Sequence, residues 1–121
     1  MITPPAAPAP IAHSADGQVT ARLHVAGLAI DIEIRVQPGY HVFAPGATEG
    51  LPVEVTIADS DAELSGLEYP ESSSGRLSGV FHITAQLSRP ASSAAIAVRV
   101  QPCNGLQCLR PSTLRFHWQG G

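Results

Sequence analysis

The sequence predicts an all-β fold, an immunoglobulin-like β-sandwich of about seven or more antiparallel strands. Three observations support this prediction. Apolar and polar residues alternate along several segments, 11 glycines and 11 prolines interrupt the chain at short intervals, and no segment keeps a helical period over several turns. The same pattern also fits a small barrel, because alternation does not determine how the sheets close.

The predicted strands follow one another along the chain. In residues 19–25 and again from Leu28 to Val36 every second residue is apolar, and Gly27 between these segments favours a tight hairpin. In the segment Val80–Leu87, the side chains expected to face the core are Phe81, Ile83, Ala85 and Leu87. The remaining predicted strands are residues 53–57, 95–100 and 114–118.

The length of 121 residues suits one domain with a substantial core. Residues 1–16 are expected to form a Pro/Ala-rich linker or a truncated N-terminal region, and residues 17–119 the β-sandwich domain. The Pro/Ala-rich start lacks the basic and apolar stretches of a signal peptide. We therefore expect a secretion signal, an anchor or another domain before it, as in an exported protein.

The charge pattern excludes two classes of partner. The formal net charge is −3, and the positive charges are seven scattered arginines without any lysine, so the chain has no basic patch for nucleic acid. No apolar run approaches the length of about 20 residues that a membrane-spanning helix requires. We expect neither a nucleic-acid partner nor a membrane span in this chain.

The two cysteines, Cys103 and Cys108, are the strongest candidates for chemistry. The Asn-Gly pair at 104–105 favours a turn between them, and Pro102 and Pro111 restrain both flanks, so an intramolecular disulfide is geometrically allowed. Closing so short a ring removes only about 2 kcal/mol of unfolded-chain entropy. This weak brace favours a redox role, while a structural disulfide remains the alternative.

Histidines offer a third hypothesis, a metal site. The chain has five histidines, and with two thiolates they could complete a tetrahedral zinc or copper site. However, His24, His82 and His117 alternate with apolar neighbours, which places them on the outer faces of the sheets. We therefore predict no metal site and no cofactor.

Several motifs resemble the N-terminal periplasmic domain of the thiol:disulfide interchange reductase DsbD. Residues 98–103, Val-Arg-Val-Gln-Pro-Cys, and 108–111, Cys-Leu-Arg-Pro, are similar to that family's redox loop. Residues 38–43, Pro-Gly-Tyr-His-Val-Phe, resemble its Gly-aromatic-His-aliphatic-aromatic segment, and residues 50–55, Gly-Leu-Pro-Val-Glu-Val, its Leu-Pro-Thr strand entry. The similarity covers about residues 18–118.

The resemblance implies roles for individual side chains. Cys108 would form the mixed disulfide with a partner, and Cys103 would resolve it. Tyr40 and Phe43 would form an apolar wall beside the disulfide, although sandwich core explains them equally well. Arg110 is the nearest cation in sequence to the cysteines.

The chain departs from the family at the cap that shields the disulfide. Residues 71–79 contain no aromatic side chain, so only Arg76 or Leu77 could take the shielding place, and an exposed turn is the alternative reading. Val100 replaces the tyrosine that precedes the glutamine of the family motif, and Ser112 replaces its second proline. These changes bear on partner range and efficiency more than on the fold.

Together these features predict a thiol-disulfide exchange domain. Its one CxxxxC disulfide would pass reducing equivalents between thioredoxin-like partners, in the periplasm or another extracytoplasmic compartment. A thioredoxin-like domain could be tethered to it in a longer protein. The alternative is an immunoglobulin-like interaction domain without enzymatic activity, in which the disulfide is structural.

Overall fold

The predicted all-β fold is confirmed. The structure, a computed structural model, describes residues 11–14, 17–48, 50–90 and 93–119. Within these ranges the chain forms β-strands, turns and loops, without a helix. Within the described ranges there is therefore no helix whose length and apolar character would let it cross a bilayer.

Two antiparallel sheets and a short ladder make up the domain. The strands are β1 (Ile11–His13), β2 (Val19–Ala26), β3 (Ala29–Val36), β4 (Val42–Phe43), β5 (Glu54–Ala58), β6 (Leu64–Glu68), β7 (Arg76–Leu77), β8 (Val80–Leu87), β9 (Ser93–Val100) and β10 (Ser112–Gln119). One sheet has the order β1-β2-β3-β8-β6, the second has the order β10-β9-β5, and β4 pairs with β7. All these pairings are antiparallel.

The β2-β3 hairpin forms as the sequence predicts. Ala26 pairs with Ala29 across a two-residue turn, and Gly27 has a φ of 61°, a conformation that costs an L side chain about 1–2 kcal/mol. Leu28 was expected on the apolar face of the second strand, and this prediction is wrong. Leu28 is exposed because it occupies the second position of the turn, before β3 begins.

The core lies between the two sheets. Strand β8 alternates as predicted, with every second side chain buried from Phe81 to Leu87. The facing sheet contributes alternate residues of β9 and β10. These contributions from β9 and β10 are the buried side chains Ile96, Val98, Val100, Leu114 and Phe116. Apolar side chains thus fill the space between the layers because the period of two sends them to one face of each strand.

The six strands predicted from alternation are present, and four short strands were missed. Strands β4 and β7 have two residues each, too few to show a period. In β6 the register shifts between Ser65 and Glu68, with Gly66 at positive φ, so its alternation is broken. Strand β1 falls in the segment expected to be a linker; residues 1–10 lie outside the described ranges, and the linker there stays a prediction.

Polar side chains cover the outer face of the larger sheet. His24 and His82 are exposed, as predicted, and His82 Nδ1 lies 3.1 Å from a carboxylate oxygen of Asp31. A 2.7 Å hydrogen bond from Arg35 Nε holds the pKa of the Glu33 carboxyl below its usual value. These contacts lie on a solvated surface and contribute little to stability.

Candidate functional site

The cysteines lie at the end of a narrow ladder of four backbone segments. Strand β4 and the preceding residue His41 lie in the middle of the ladder. On one edge Val42 of β4 pairs with β7, and on the other edge His41 pairs with Cys103. His41 and Cys103 exchange both backbone hydrogen bonds, at 2.8 and 2.9 Å. Residues 107–109 form the fourth segment, beside Cys103. The ladder therefore joins the cysteines to β7, which carries Arg76 and Leu77, through β4.

Local hairpin geometry brings the two cysteines together. Backbone hydrogen bonds from Asn104 to Gln107 and from Leu109 to Pro102, at 2.9 and 2.8 Å, flank the pair Cys103 and Cys108. In such a position of an antiparallel ladder the Cα atoms lie about 4.5 Å apart and the side chains approach closely. Here the Cα atoms are 4.0 Å apart and the two sulfur atoms form a disulfide.

The side chain of Asn104 holds the tip of this hairpin. Its Oδ1 accepts hydrogen bonds from the backbone N–H groups of Leu106 and Gln107, at 2.8 and 2.9 Å. An asparagine that bonds to the backbone two residues ahead stabilises a turn in this way. The turn between the cysteines is therefore closed by hydrogen bonds as well as by the disulfide.

The two sulfur-bearing residues differ in exposure. Cys103 is 1% exposed, because its backbone is paired with His41 on one side and with the 107–109 segment on the other. Cys108 is exposed at the outer edge of the ladder. A nucleophile from solvent can therefore approach Cys108, while Cys103 is covered.

Gln101 fastens the hairpin to a neighbouring loop. Its Oε1 accepts a hydrogen bond from the Leu51 backbone N–H at 3.0 Å, and its Nε2 donates to the Leu109 carbonyl at 3.4 Å. One side chain thus joins the loop before β5 to the outer segment of the hairpin. The amide has both a donor and an acceptor, so glutamine suits this position.

Phe43 packs beside the cysteine ladder. It is 2% exposed, and its ring meets the His41 ring edge to face at a centroid distance of 5.3 Å. A Cβ added to Gly50 would lie only 2.7 Å from the Phe43 ring atom Cδ2 and 3.0 Å from Gln101 Oε1. The absence of a side chain at Gly50 therefore leaves room for this ring and for the Gln101 amide.

The other predicted site residues differ in how far their side chains are buried. Tyr40 is half-buried and packs against the main core. Leu77 is buried in that core, whereas Arg76, its neighbour in β7, is exposed and pairs through its backbone with Phe43. Arg110 is exposed beyond the hairpin. The shielding roles of Tyr40, Phe43, Arg76 and Leu77 stay predictions.

Serine side chains order the turn before β7. Ser72 Oγ donates to the Arg76 carbonyl at 2.7 Å, and Ser74 Oγ accepts from the Arg76 N–H at 3.2 Å. The Gly75 carbonyl accepts from the Ala44 N–H at 2.9 Å, which fixes the turn to the segment after β4. A surface groove of about 910 Å³ lies between this turn and residues 44–48, with Phe43 but neither cysteine in its lining.

The described residues contain no group of three His, Cys, Asp or Glu side chains that could hold a metal ion. His24, His82 and His117 point outward from their strands, as the alternation predicted. His41 is half-buried and belongs to the cysteine ladder through its backbone.

Sequence reasoning did not assign a role to three residues of this site. Asn104 was recognised only as a turn former, and Gln101 only as part of a motif. Gly50 carried no signal, because the need for a missing side chain depends on Phe43, which lies seven residues earlier in the chain and across a loop. Asn-Gly between two cysteines is the one local pattern that could have indicated the Asn104 contacts.

Comparisons with known proteins support the fold. No family model and no curated protein matches the sequence. Seven chains of solved structures match, among them the N-terminal domain of Neisseria meningitidis DsbD in the reduced form. That match has a TM-score of 0.53 at 14% identity and covers 86% of each chain. This match confirms the predicted resemblance to the DsbD N-terminal domain at the level of the fold. It also confirms the predicted immunoglobulin-like β-sandwich.

The Asn104 contacts lead to a first prediction. Asn104→Ala removes both side-chain hydrogen bonds, and each is worth about 0.5–1.5 kcal/mol. We expect faster hydrogen exchange at the amides of Leu106 and Gln107, with unchanged exchange in β8. Asn104→Asp is the matched control, because it keeps the acceptor oxygen. Equal protection of both amides in the Ala variant and the parent would contradict the predicted role of Asn104.

The close approach of Gly50 leads to a second prediction. Gly50→Ala forces the Phe43 ring or the Gln101 amide to move, which we expect to cost about 1–3 kcal/mol in the free energy of unfolding, as overpacking does. Gly105→Ala is the control, since a Cβ there meets nothing within 4 Å. Denaturant unfolding of both variants measures the difference in their free energies of unfolding. Equal midpoints would contradict the close packing of Phe43 against Gly50.

Proposed function

We propose that this chain, which has the fold of the DsbD N-terminal domain, is a thiol-disulfide exchange domain. Its Cys103–Cys108 disulfide would relay reducing equivalents between thioredoxin-like partners. The observation that carries the proposal is the unequal exposure of the pair: Cys103 is 1% exposed, and Cys108 is open to solvent. An exchange reaction needs one accessible sulfur for the partner and one protected sulfur that returns to it.

The reaction proceeds in two exchanges. A partner thiolate attacks the Cys108 sulfur; a partner–Cys108 bond forms, the Cys103–Cys108 bond breaks, and its electron pair leaves on Cys103. A second thiolate of the partner then attacks the partner's own sulfur in this mixed disulfide, and Cys108 leaves as a thiolate. The domain holds two more electrons, and the partner is now a disulfide. The same steps in reverse deliver the electrons to an oxidised partner.

The hairpin supports this cycle because several of its contacts do not involve the sulfur atoms. These are its backbone hydrogen bonds, the Asn104 side-chain contacts and the Gln101 amide contact, and all of them would remain after reduction. Cys103 would also keep both of its backbone hydrogen bonds to His41. The two thiols would therefore stay adjacent after reduction, ready to close again on an oxidised partner.

The surrounding residues would control access to the sulfur atoms. Phe43 and Tyr40 would limit approach from the β4 side, and the turn ordered by serines would hold Arg76 and Leu77 in the place of an aromatic cap. Arg110 is the nearest cation to Cys108 in sequence, and it would favour the approach of a thiolate.

The partners and the compartment follow from the same proposal. Only a few per cent of an ordinary cysteine thiol is ionised at pH 7, and no histidine lies within the cysteine ring. The attacking thiolate would therefore come from an activated partner of the thioredoxin type. Such a disulfide persists in an oxidising compartment such as the periplasm.

The reduction potential of the cysteine pair tests the proposal. We expect a value between about −180 and −270 mV, the range of known exchange proteins. The domain is equilibrated in graded thiol buffers, free thiols are trapped by alkylation, and circular dichroism follows the fold. A potential below about −300 mV, or unfolding on reduction, would instead identify a structural disulfide in an interaction domain.

Single-cysteine variants test the roles of the two sulfur atoms. In Cys103→Ser the remaining Cys108 thiol is exposed, and in Cys108→Ser the remaining Cys103 thiol is covered. We expect the first to react with a bulky alkylating reagent at least about tenfold faster, because accessibility limits the reaction. The same assay in denaturant is the control, since both thiols are then exposed. Equal native rates would refute the assigned roles.

A further inference from the structure

One apolar side chain of the cysteine ring is almost completely in solvent. Leu106 is 96% exposed, whereas the other exposed large apolar side chains of the described ranges lie between 40% and 56%. A leucine in water gains no hydrophobic stabilisation from folding. Packing within the domain therefore does not explain an apolar residue at this position.

The backbone that carries Leu106 is nevertheless ordered. Its N–H donates to Asn104 Oδ1 at 2.8 Å, and the ring is closed by the Cys103–Cys108 bond. A side chain presented on an ordered turn loses less conformational freedom on binding than one on a mobile loop. The arrangement suits a contact residue.

The surroundings of Leu106 indicate the chemistry of the surface it would meet. Residues 101–109 contain no charged side chain, and Arg110 is the first charge after the ring. Cys108, the exposed sulfur-bearing residue, lies two positions from Leu106 on the same hairpin. A protein that places a thiolate on Cys108 would therefore cover Leu106 with the surface next to that thiolate, and an apolar, uncharged surface fits best.

We propose that Leu106 is a specificity residue for the exchange reaction: its side chain enters an apolar depression beside the reactive thiol of a thioredoxin-like protein. This inference rests on the proposed function. It adds that protein partners are selected over small thiols, because dithiothreitol offers no surface for Leu106.

The test compares a protein reductant with a small one. Wild-type domain, Leu106→Gln, Leu106→Met and Leu28→Gln are each reduced by thioredoxin, kept reduced enzymatically, and separately by dithiothreitol. The measured quantity is the ratio of the two second-order rate constants. Gln keeps the length of the side chain but removes its apolar character, Met keeps both, and Leu28 is an exposed leucine in the distant β2-β3 turn.

We expect the ratio to fall about tenfold in Leu106→Gln, the factor that corresponds to about 1.4 kcal/mol. Leu106→Met should recover most of the wild-type ratio, and Leu28→Gln should equal it. If Leu106→Gln keeps the wild-type ratio, the role of Leu106 is wrong and the exchange function stands. If thioredoxin fails to reduce the wild-type domain while dithiothreitol succeeds, the exchange function is contradicted, and the Leu106 proposal with it.

Discussion

The antiparallel pairing between His41 and Cys103 is the contact on which the candidate site depends. The two residues exchange both backbone hydrogen bonds, so the other edge of the Cys103 segment must face residues 107–109. Alternation of hydrogen-bonded and non-hydrogen-bonded positions then makes the pair with Cys108 one in which side chains approach closely. The same pairing covers Cys103 and leaves Cys108 at the free edge. One backbone interaction thus places the two cysteines side by side and leaves Cys103 buried and Cys108 exposed.

Polar side chains add to core packing at this end of the sandwich, where Val42 and Leu77 are already buried in the core. Asn104 closes the hairpin tip, Gln101 ties the hairpin to the loop before β5, and the serines of residues 72–74 order the turn before β7. Each bond is worth little by itself, but together they give backbone groups of these turns and loops a partner within the domain. The cysteine ring is therefore supported by contacts that do not involve the sulfur atoms.

The fold and the chemistry stand on different grounds. The chain shares its β-sandwich with the DsbD N-terminal domain. Because the two sequences are only 14% identical, this match shows the fold alone. The proposed activity instead rests on the unequal exposure of Cys103 and Cys108 and on the ordered hairpin between them. The surface groove between residues 44–48 and the serine turn has neither cysteine in its lining. The cysteine pair lies outside this groove, at the edge of the backbone ladder.

Sequence alone determined the all-β class, the two turns and the cysteine pair as the candidate site, because these depend on local patterns; alternation left a small barrel open beside the sandwich. Period-two alternation predicted β2, β3 and β8, Gly27 predicted the hairpin turn, and Asn-Gly between the cysteines made an intramolecular disulfide geometrically possible. Tertiary structure decided the rest. The two-residue strands β4 and β7 exist only because neighbouring segments pair with them, and a glycine is needed at position 50 only because the Phe43 ring lies against it. Burial of Cys103 and exposure of Cys108 likewise depend on His41, about sixty residues earlier, a separation over which local periodicity carries no information.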